Sequence, residues 1–302
     1  MRLVQDAEVW TEQVKCLKNR DPQVRSAAVA NLGRLGPEAK FAIAGLRQRL
    51  TDADPGVRSR AATALGEIGP AAVAELIQAL ALPDRSVRRE AVWGLAKLGP
   101  EAAPAIPALA RALADRDASI RKGAARALGL LGRTARPAIP FLIRALKDTD
   151  LLFCRMAAWA LGRIGSAAVD ALVAALSSHD KFIRREAAWA LGQIGPEAAV
   201  AVPKLIAILK VSSEETSPEI PLPKIHAHQD TEVVCLHPIP DVTLRVNAVR
   251  ALGEIGISAR SAIQALMTAL GDVNDNVAAA AAEALNRLDE DSSTGWCLKA
   301  AG

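Results

Sequence analysis

Asp21-Pro22-Gln23-Val24-Arg25-Ser26-Ala27-Ala28-Val29-Ala30-Asn31-Leu32-Gly33-Arg34-Leu35-Gly36 decides the fold, because it comes back. Copies begin at Asp54, Asp84, Asp117, Asp150, Asp180 and Asp241, with a degenerate one at Asn274. The intervals are 33, 30, 33, 33, 30, 61 and 33 residues, and the interval of 61 is one period plus an insertion of about another. A fixed period of this length marks an array of stacked supersecondary units. Eight units cover most of the 302-residue chain.

Each unit reads as two helices. Its Asp suits an N-cap, since the carboxylate accepts the free N–H groups of the first turn. Pro22 and Pro55 follow at the first helical position, where no N–H is needed. Apolar residues recur at offsets 3, 7, 11 and 14 from the Asp: Val24, Ala28, Leu32 and Leu35 in the first unit, Ile183, Ala187, Leu191 and Ile194 in the sixth. That spacing is one buried helical stripe. Gly36, Gly69, Gly99, Gly132, Gly165, Gly195 and Gly256 stand where the helix ends and a left-handed residue is wanted. A second amphipathic stretch comes next, such as Ala71–Leu80 or Pro137–Leu146, and Pro107, Pro140 and Pro203 bend or start it. The inner Gly at offset 12 (Gly33, Gly66, Gly129, Gly162, Gly192, Gly253) gives way to Ala96 in the third unit. A positive φ is therefore not its purpose, and close packing of neighbouring helices is.

Composition agrees. Hydrophobic residues make up 51% of the chain and charged ones 23%, which excludes general disorder. Aromatics are only 3% and Tyr is absent, so Ala dominates the core and favours helices in close contact. No run of about 18 uncharged apolar residues occurs, so no membrane span is expected. The acids Asp6 and Glu8 stand where a secretory signal would be apolar, so none is expected. Cys16, Cys154, Cys235 and Cys297 show no short paired spacing, which fits a reducing cytoplasm better than a disulfide scaffold.

The pattern Asp-x-x-x-Val-Arg-x-x-Ala-Ala-x-Ala-Leu-Gly-x-Ile-Gly resembles the HEAT repeat, in the short variety named after the phycobilisome lyases. The resemblance covers about residues 8–289. It implies an all-α, right-handed α-solenoid (an α-α superhelix) of about eight helix pairs, with the Asp-capped helix second in each pair and lining the concave face. The expected organisation is a single solenoid over 1–290, a Pro-rich loop insertion over 211–240 within the seventh repeat, and a tail over 291–302. In this family the offset-4 Arg (Arg25, Arg58, Arg88, Arg121, Arg184, Arg245) and the capping Asp bond to adjacent repeats as a ladder. Cys154 takes that offset in the fifth unit, which interrupts it.

Positions that the repeat does not dictate carry the functional information. Offset 9 reads Ala30, Thr63, Trp93, Arg126, Trp159, Trp189, Arg250, and offset 5 reads Ser26, Ser59, Arg89, Lys122, Arg155, Arg185, Val246. Units three to six thus set Arg89, Lys122, Arg155 and Arg185 beside Trp93, Arg126, Trp159 and Trp189, and Leu152 and Phe182 join them from offset 2. Trp and Arg are the favoured anchors of binding surfaces. The opposing reading packs each Trp on its neighbouring helix with the arginines stacked on it. Charge is asymmetric too: net +2 over residues 1–83, +8 over 84–195 and −6 over 196–302. A basic middle selects an acidic partner.

The expected function is a non-enzymatic scaffold that captures an acidic or aromatic protein segment, acting as a monomer in the cytoplasm. A phycobilin lyase-like protein or tetrapyrrole chaperone is a second reading, and a binder of nucleic-acid backbone a third. The acidic last third opposes the third reading. No Gly-rich phosphate loop, Gly-x-Ser-x-Gly or His-Glu-x-x-His is present, so no catalytic residue or cofactor is assigned. HEAT-like DNA glycosylases carry Trp and an acid in the groove; here Glu90 and Glu186 lie three residues before Trp93 and Trp189 and so share a helix face with them, but no longer motif supports that activity. His226, His228, Cys235 and His237 in the insertion match no strong zinc spacing, so no metal is expected.

Overall fold

The computed structural model describes residues 10–211 and 241–290, and all regular structure in them is helical. After a helical segment over 10–16, the helices in chain order are α1 (Pro22–Arg34), α2 (Ile43–Arg49), α3 (Pro55–Ile68), α4 (Val73–Ala79), α5 (Arg85–Leu98), α6 (Ile106–Ala112), α7 (Ala118–Leu131) and α8 (Ile139–Ala145). Next come α9 (Leu151–Ile164), α10 (Val169–Ala175), α11 (Lys181–Ile194), α12 (Val202–Val211), α13 (Val242–Ile255), α14 (Ile263–Leu270) and α15 (Asp275–Glu290). The odd-numbered helices are the capped ones. The architecture is an α-solenoid of stacked helix pairs. The chain divides into two compact units, Met1–Ala171 and Leu172–Gly302. The Pro-rich insertion with His226, His228, Cys235 and His237, and the tail over 291–302, lie outside the described residues.

Local chemistry sets each capped helix. Asp84 accepts N–H groups from Ser86 and Val87, and Asp117 does the same for Ser119 and Ile120. Asn274 caps α15 by accepting from Asn276. Pro22 and Pro55 sit in the first turn. At the other end the seven helix-terminal glycines, Gly36 to Gly256, all have φ between 55° and 91°. A side chain there would meet the following carbonyl, so Gly terminates the helix without strain.

The segment after each of these glycines departs from the expected second helix. A 3-10 segment such as Gly99–Ala105 or Gly132–Ala138 comes first, and only then a short α-helix of seven to ten residues. Pro107 and Pro140 stand in the first turn of α6 and α8, so they start these helices and do not bend them. The two longest apolar helical stretches, 151–175 and 181–210, have a composition compatible with a membrane span. Each is interrupted by a positive-φ Gly, at Gly165 and Gly195.

Within Met1–Ala171, α3 packs on α1 and α5, and α7 on α5 and α9, while α2, α4, α6 and α8 each pack on the capped helix that follows. Within Leu172–Gly302, α13 packs on α11 and α15. The predicted stripe is the core: Val57, Ala61, Leu65 and Ile68 are fully buried, as are Ile120, Ala124 and Leu128. Burial extends beyond it, because each inner capped helix has a neighbour on both sides. Ala62 and Ala125, one residue further on, are equally buried.

The inner glycines mark the closest approaches. A β-carbon on Gly66 would lie 3.0 Å from Gly94 Cα, and one on Gly253 3.0 Å from Ala284 Cα. Loss of about 1 kcal/mol of helix propensity at each Gly is offset by dispersion contact between backbones that nearly touch.

Candidate functional site

The offset-4 arginines build the frame that holds the exposed face. Arg25 reaches Asp52 with two bonds (Nε–Oδ2 2.9 Å, Nη2–Oδ1 2.6 Å) and donates through Nη1 to the carbonyls of Asn19 and Arg20. Arg88 repeats this with Asp115, and with the carbonyls of Leu82 and Pro83. Each guanidinium thus ties the turn before its own helix to the next turn. The acceptor corrects the expectation of a ladder to the capping Asp. Asp52 and Asp115 stand two residues before the caps Asp54 and Asp117, and each also accepts the cap's N–H. Among the described residues, Arg58 alone of the offset-4 arginines bonds a capping residue, Asp84, in the turn that holds Leu82 in place of an acid.

These carboxyls are electrostatically held. Burial pushes Asp52 up, but the hydrogen bond from Arg25, the Asp54 N–H and the charges of Arg25 and Arg49 outweigh it and keep it below the ordinary carboxylate range. Asp115 is lowered in the same way by Arg88 against its burial.

The fourth and fifth repeats depart. Offset 3 is Val or Ile in most units but Phe153 in the fifth. The Arg121 guanidinium lies over that ring, 5.3 Å from its centroid. It reaches Asp148 by one bond of 3.3 Å, and its Nε is buried with no hydrogen-bond partner. Cys154, 2% exposed, donates its Sγ–H to the Asp148 carbonyl at 3.1 Å, where the other units place an arginine. The thiol keeps the tie to its own turn.

The offset-5 bases behave differently from the partner-facing row expected of them. Lys122 pairs with the capping Asp150 at 3.1 Å, and in the second compact unit Arg185 pairs with the capping Asp241 at 2.6 Å. The Asp150 carboxyl is held low by the Phe153 N–H and then by Lys122. Arg89 turns to Glu90 at 3.1 Å. Arg155 is half-buried. Repeat chemistry could have signalled these pairings, because the next cap stands 28 residues after Lys122.

The tryptophans divide. Trp159 is half-buried and its ring covers Gly129 of α7, which is the packing alternative. Trp93 is 50% exposed, and Arg126 stacks on its ring 5.5 Å from the centroid. In Leu172–Gly302, Trp189 is half-buried, while Phe182 is 40% exposed and carries Lys181 and Arg185, each 5.4 Å from its centroid.

Trp93 borders a cleft of about 440 Å³ on the exposed faces of α3, α5 and α7. Thr63, Glu67, Glu90, Lys97, Arg126 and Leu130 line it with Trp93. Its acids are engaged: Glu67 by Lys97 at 2.8 Å, and Glu90 by Arg89 and the Thr63 hydroxyl. Among the described residues Arg126 has no ion-pair partner. The cleft therefore offers one half-solvated indole, one uncompensated guanidinium and the exposed Leu130. No cluster of three or more metal-ligating side chains occurs among the described residues.

The family model for HEAT repeats matches residues 11–82, 73–158, 139–216 and 235–295. A comparison with curated proteins finds no match. Among solved structures, an engineered protein is 25% identical over 95% of this chain and 80% of its own, with a TM-score of 0.50. Kap121p bound to Nup53p is 14% identical over 95% of this chain, with a TM-score of 0.66; the matched part is 34% of Kap121p, about a third of its length. The complex of CpcE and CpcF of phycocyanin lyase from Nostoc sp. PCC7120 is 21% identical over 93% of each chain, with a TM-score of 0.43.

Proposed function

Since the chain belongs to the HEAT-repeat family, we propose that it is a non-enzymatic binding scaffold that captures a protein segment on the exposed faces of its capped helices, centred on Trp93. The observation that carries this reading is the Trp93–Arg126 pair. An indole left half in water forgoes about half of a large burial energy, roughly 1–2 kcal/mol. Buried aromatic and Arg anchors are what dominate protein interfaces. The uncompensated guanidinium favours an acidic side chain on the partner, and Trp93 with Leu130 favours an apolar or aromatic one beside it. A nucleic-acid backbone suits the cleft poorly, because Lys97 is spent on Glu67 and among the described residues Arg126 is its one cation left for a row of phosphates. The fold accommodates such a role, as in Kap121p bound to Nup53p.

The test pans a random peptide library against the intact protein and against Trp93→Ala with Arg126→Glu. The wild type enriches segments that pair an acid with an aromatic or aliphatic residue, and the variant loses that enrichment while keeping its helical circular dichroism. Equal enrichment by both proteins overturns the reading.

A further inference from the structure

A second cleft, of about 600 Å³, lies between the C-terminal ends of α6 and α8 and the turns after them, and it shares no residue with the Trp93 cleft. Its volume is that of small-molecule sites. Its chemistry is cationic. Arg111, Arg144 and Lys147 line it, all exposed and without an ion pair among the described residues. Its carboxylates, Asp115 and Asp148, are already bonded, the first by Nε and Nη2 of Arg88 and the second by Arg121.

The fold does not call for these cations. A base in the last turn is favoured by the helix dipole, yet the position of Arg111 and Arg144 holds Gln48, Gln78 and Thr268 in other repeats. The position of Lys147 holds Thr51, Ala81, Ala114, Ser177 and Gly271, and lysine again at Lys18 and Lys210. Two adjacent repeats alone place arginines on both sides of one depression. Arg121 lies over the Phe153 ring, reaches Asp148 by one bond of 3.3 Å and has a buried, unpartnered Nε, so this guanidinium of the cleft is less compensated than those of Arg25 or Arg88. Phe141 borders the same cleft and is 47% exposed, where that position otherwise holds a small residue (Gly45, Ala108, Ala171, Ala265) or a charged one (Glu75, Lys204).

We propose that this cleft binds a phosphate monoester carrying a planar apolar group. The forked guanidinium groups of Arg111 and Arg144 match phosphate oxygens two at a time, and Lys147 adds a point charge. The planar group stacks on Phe141. The assignment is independent of the Trp93 cleft and of what binds there.

The experiment titrates phenyl phosphate, and separately inorganic phosphate, into the full chain by calorimetry at low salt. Phenyl phosphate is expected to bind one to one and about tenfold more tightly than inorganic phosphate. Arg144→Gln with Lys147→Gln weakens both by at least about tenfold. Phe141→Ala lowers phenyl phosphate to the level of inorganic phosphate. All three side chains are exposed, and unchanged circular dichroism and thermal unfolding confirm that the variants fold. Absence of saturable heat, affinity unmoved by the double variant, or equal affinities for the two probes in the wild type would each overturn the assignment.

Discussion

The Trp159 ring lies against Gly129: a β-carbon built on that glycine would stand 2.6 Å from Trp159 Cε3 and closer still to Cζ3. The indole of one capped helix thus fills the space that the previous helix leaves by having no side chain.

Gly129→Ala is therefore destabilising by about 1–3 kcal/mol through overpacking, although Ala in an exposed helix would be worth about 1 kcal/mol more than Gly. In a Trp159→Ala background the clash is gone and the same substitution stabilises. Urea unfolding of the four proteins in this cycle checks the reversal of sign, and a Gly129→Ala that is neutral or better in the wild type refutes the packing.

Trp93→Ala and Trp159→Ala separate binding from stability. Removal of the half-solvated Trp93 costs about 1 kcal/mol, whereas removal of Trp159 costs about 3 kcal/mol. Peptide capture takes the opposite order, with Trp93→Ala the more damaging. Both are read from the same purified proteins, by chemical unfolding and by binding to an enriched peptide.

The turn-to-turn ion pairs make stability pH-dependent with a defined sign. Asp52, Asp84 and Asp115 have folded-state carboxyls below their ordinary value. Their contribution is complete above the unfolded carboxylate value of about 4 and is lost as pH falls through the lower folded value. Asp52→Asn lowers Tm at pH 7 by about 5 °C, and its Tm converges with that of the wild type as pH falls through the lowered folded-state value of Asp52. Thermal scans from pH 2 to pH 8 check this; parallel curves at all pH values would exclude the assignment. Asp148→Asn costs less at pH 7, because Arg121 meets it through one long bond.

Phe153→Ile frees Arg121 to approach Asp148 as its counterparts approach theirs. The coupling energy between Arg121 and Asp148, measured by a double-mutant cycle, rises by at least about 0.5 kcal/mol in that background. An unchanged coupling would show that the ring does not displace the guanidinium.

Repetition made much of this legible. The Asp caps, the Gly36-type termini and the buried stripe all belong to one copy, so the array writes them again in nearly every repeat. Contacts between copies were harder to read. The destination of Arg25 is Asp52 and not a cap, because the stacking offset between repeats, which a within-copy pattern does not contain, decides which acid it meets. The signal existed: an acid two residues before the cap accompanies an arginine one repeat earlier at Asp52, Asp115, Asp148 and Asp272. The candidate site was readable as a set of positions but not as a set of roles. Trp93 and Trp159 share an offset, and the helix before each carries Gly at the same place, Gly66 and Gly129; Gly129 is covered by the Trp159 ring, whereas Gly66 is met by the Gly94 backbone and Trp93 stays half in solvent. Lys122 and Arg185 read as free cations until the caps of the following repeats stood beside them.

The guanidinium ties also determine where the chain yields to tension. Within Met1–Ala171, two bonds to Asp52 and two to Asp115 clamp successive turns at Arg25 and Arg88, while Arg121 holds Asp148 by one and a thiol replaces the guanidinium at Cys154. Stretched between two beads, that part of the molecule comes apart first at the turn spanning Lys147 to Cys154, and the more tightly clamped repeats let go only at higher force.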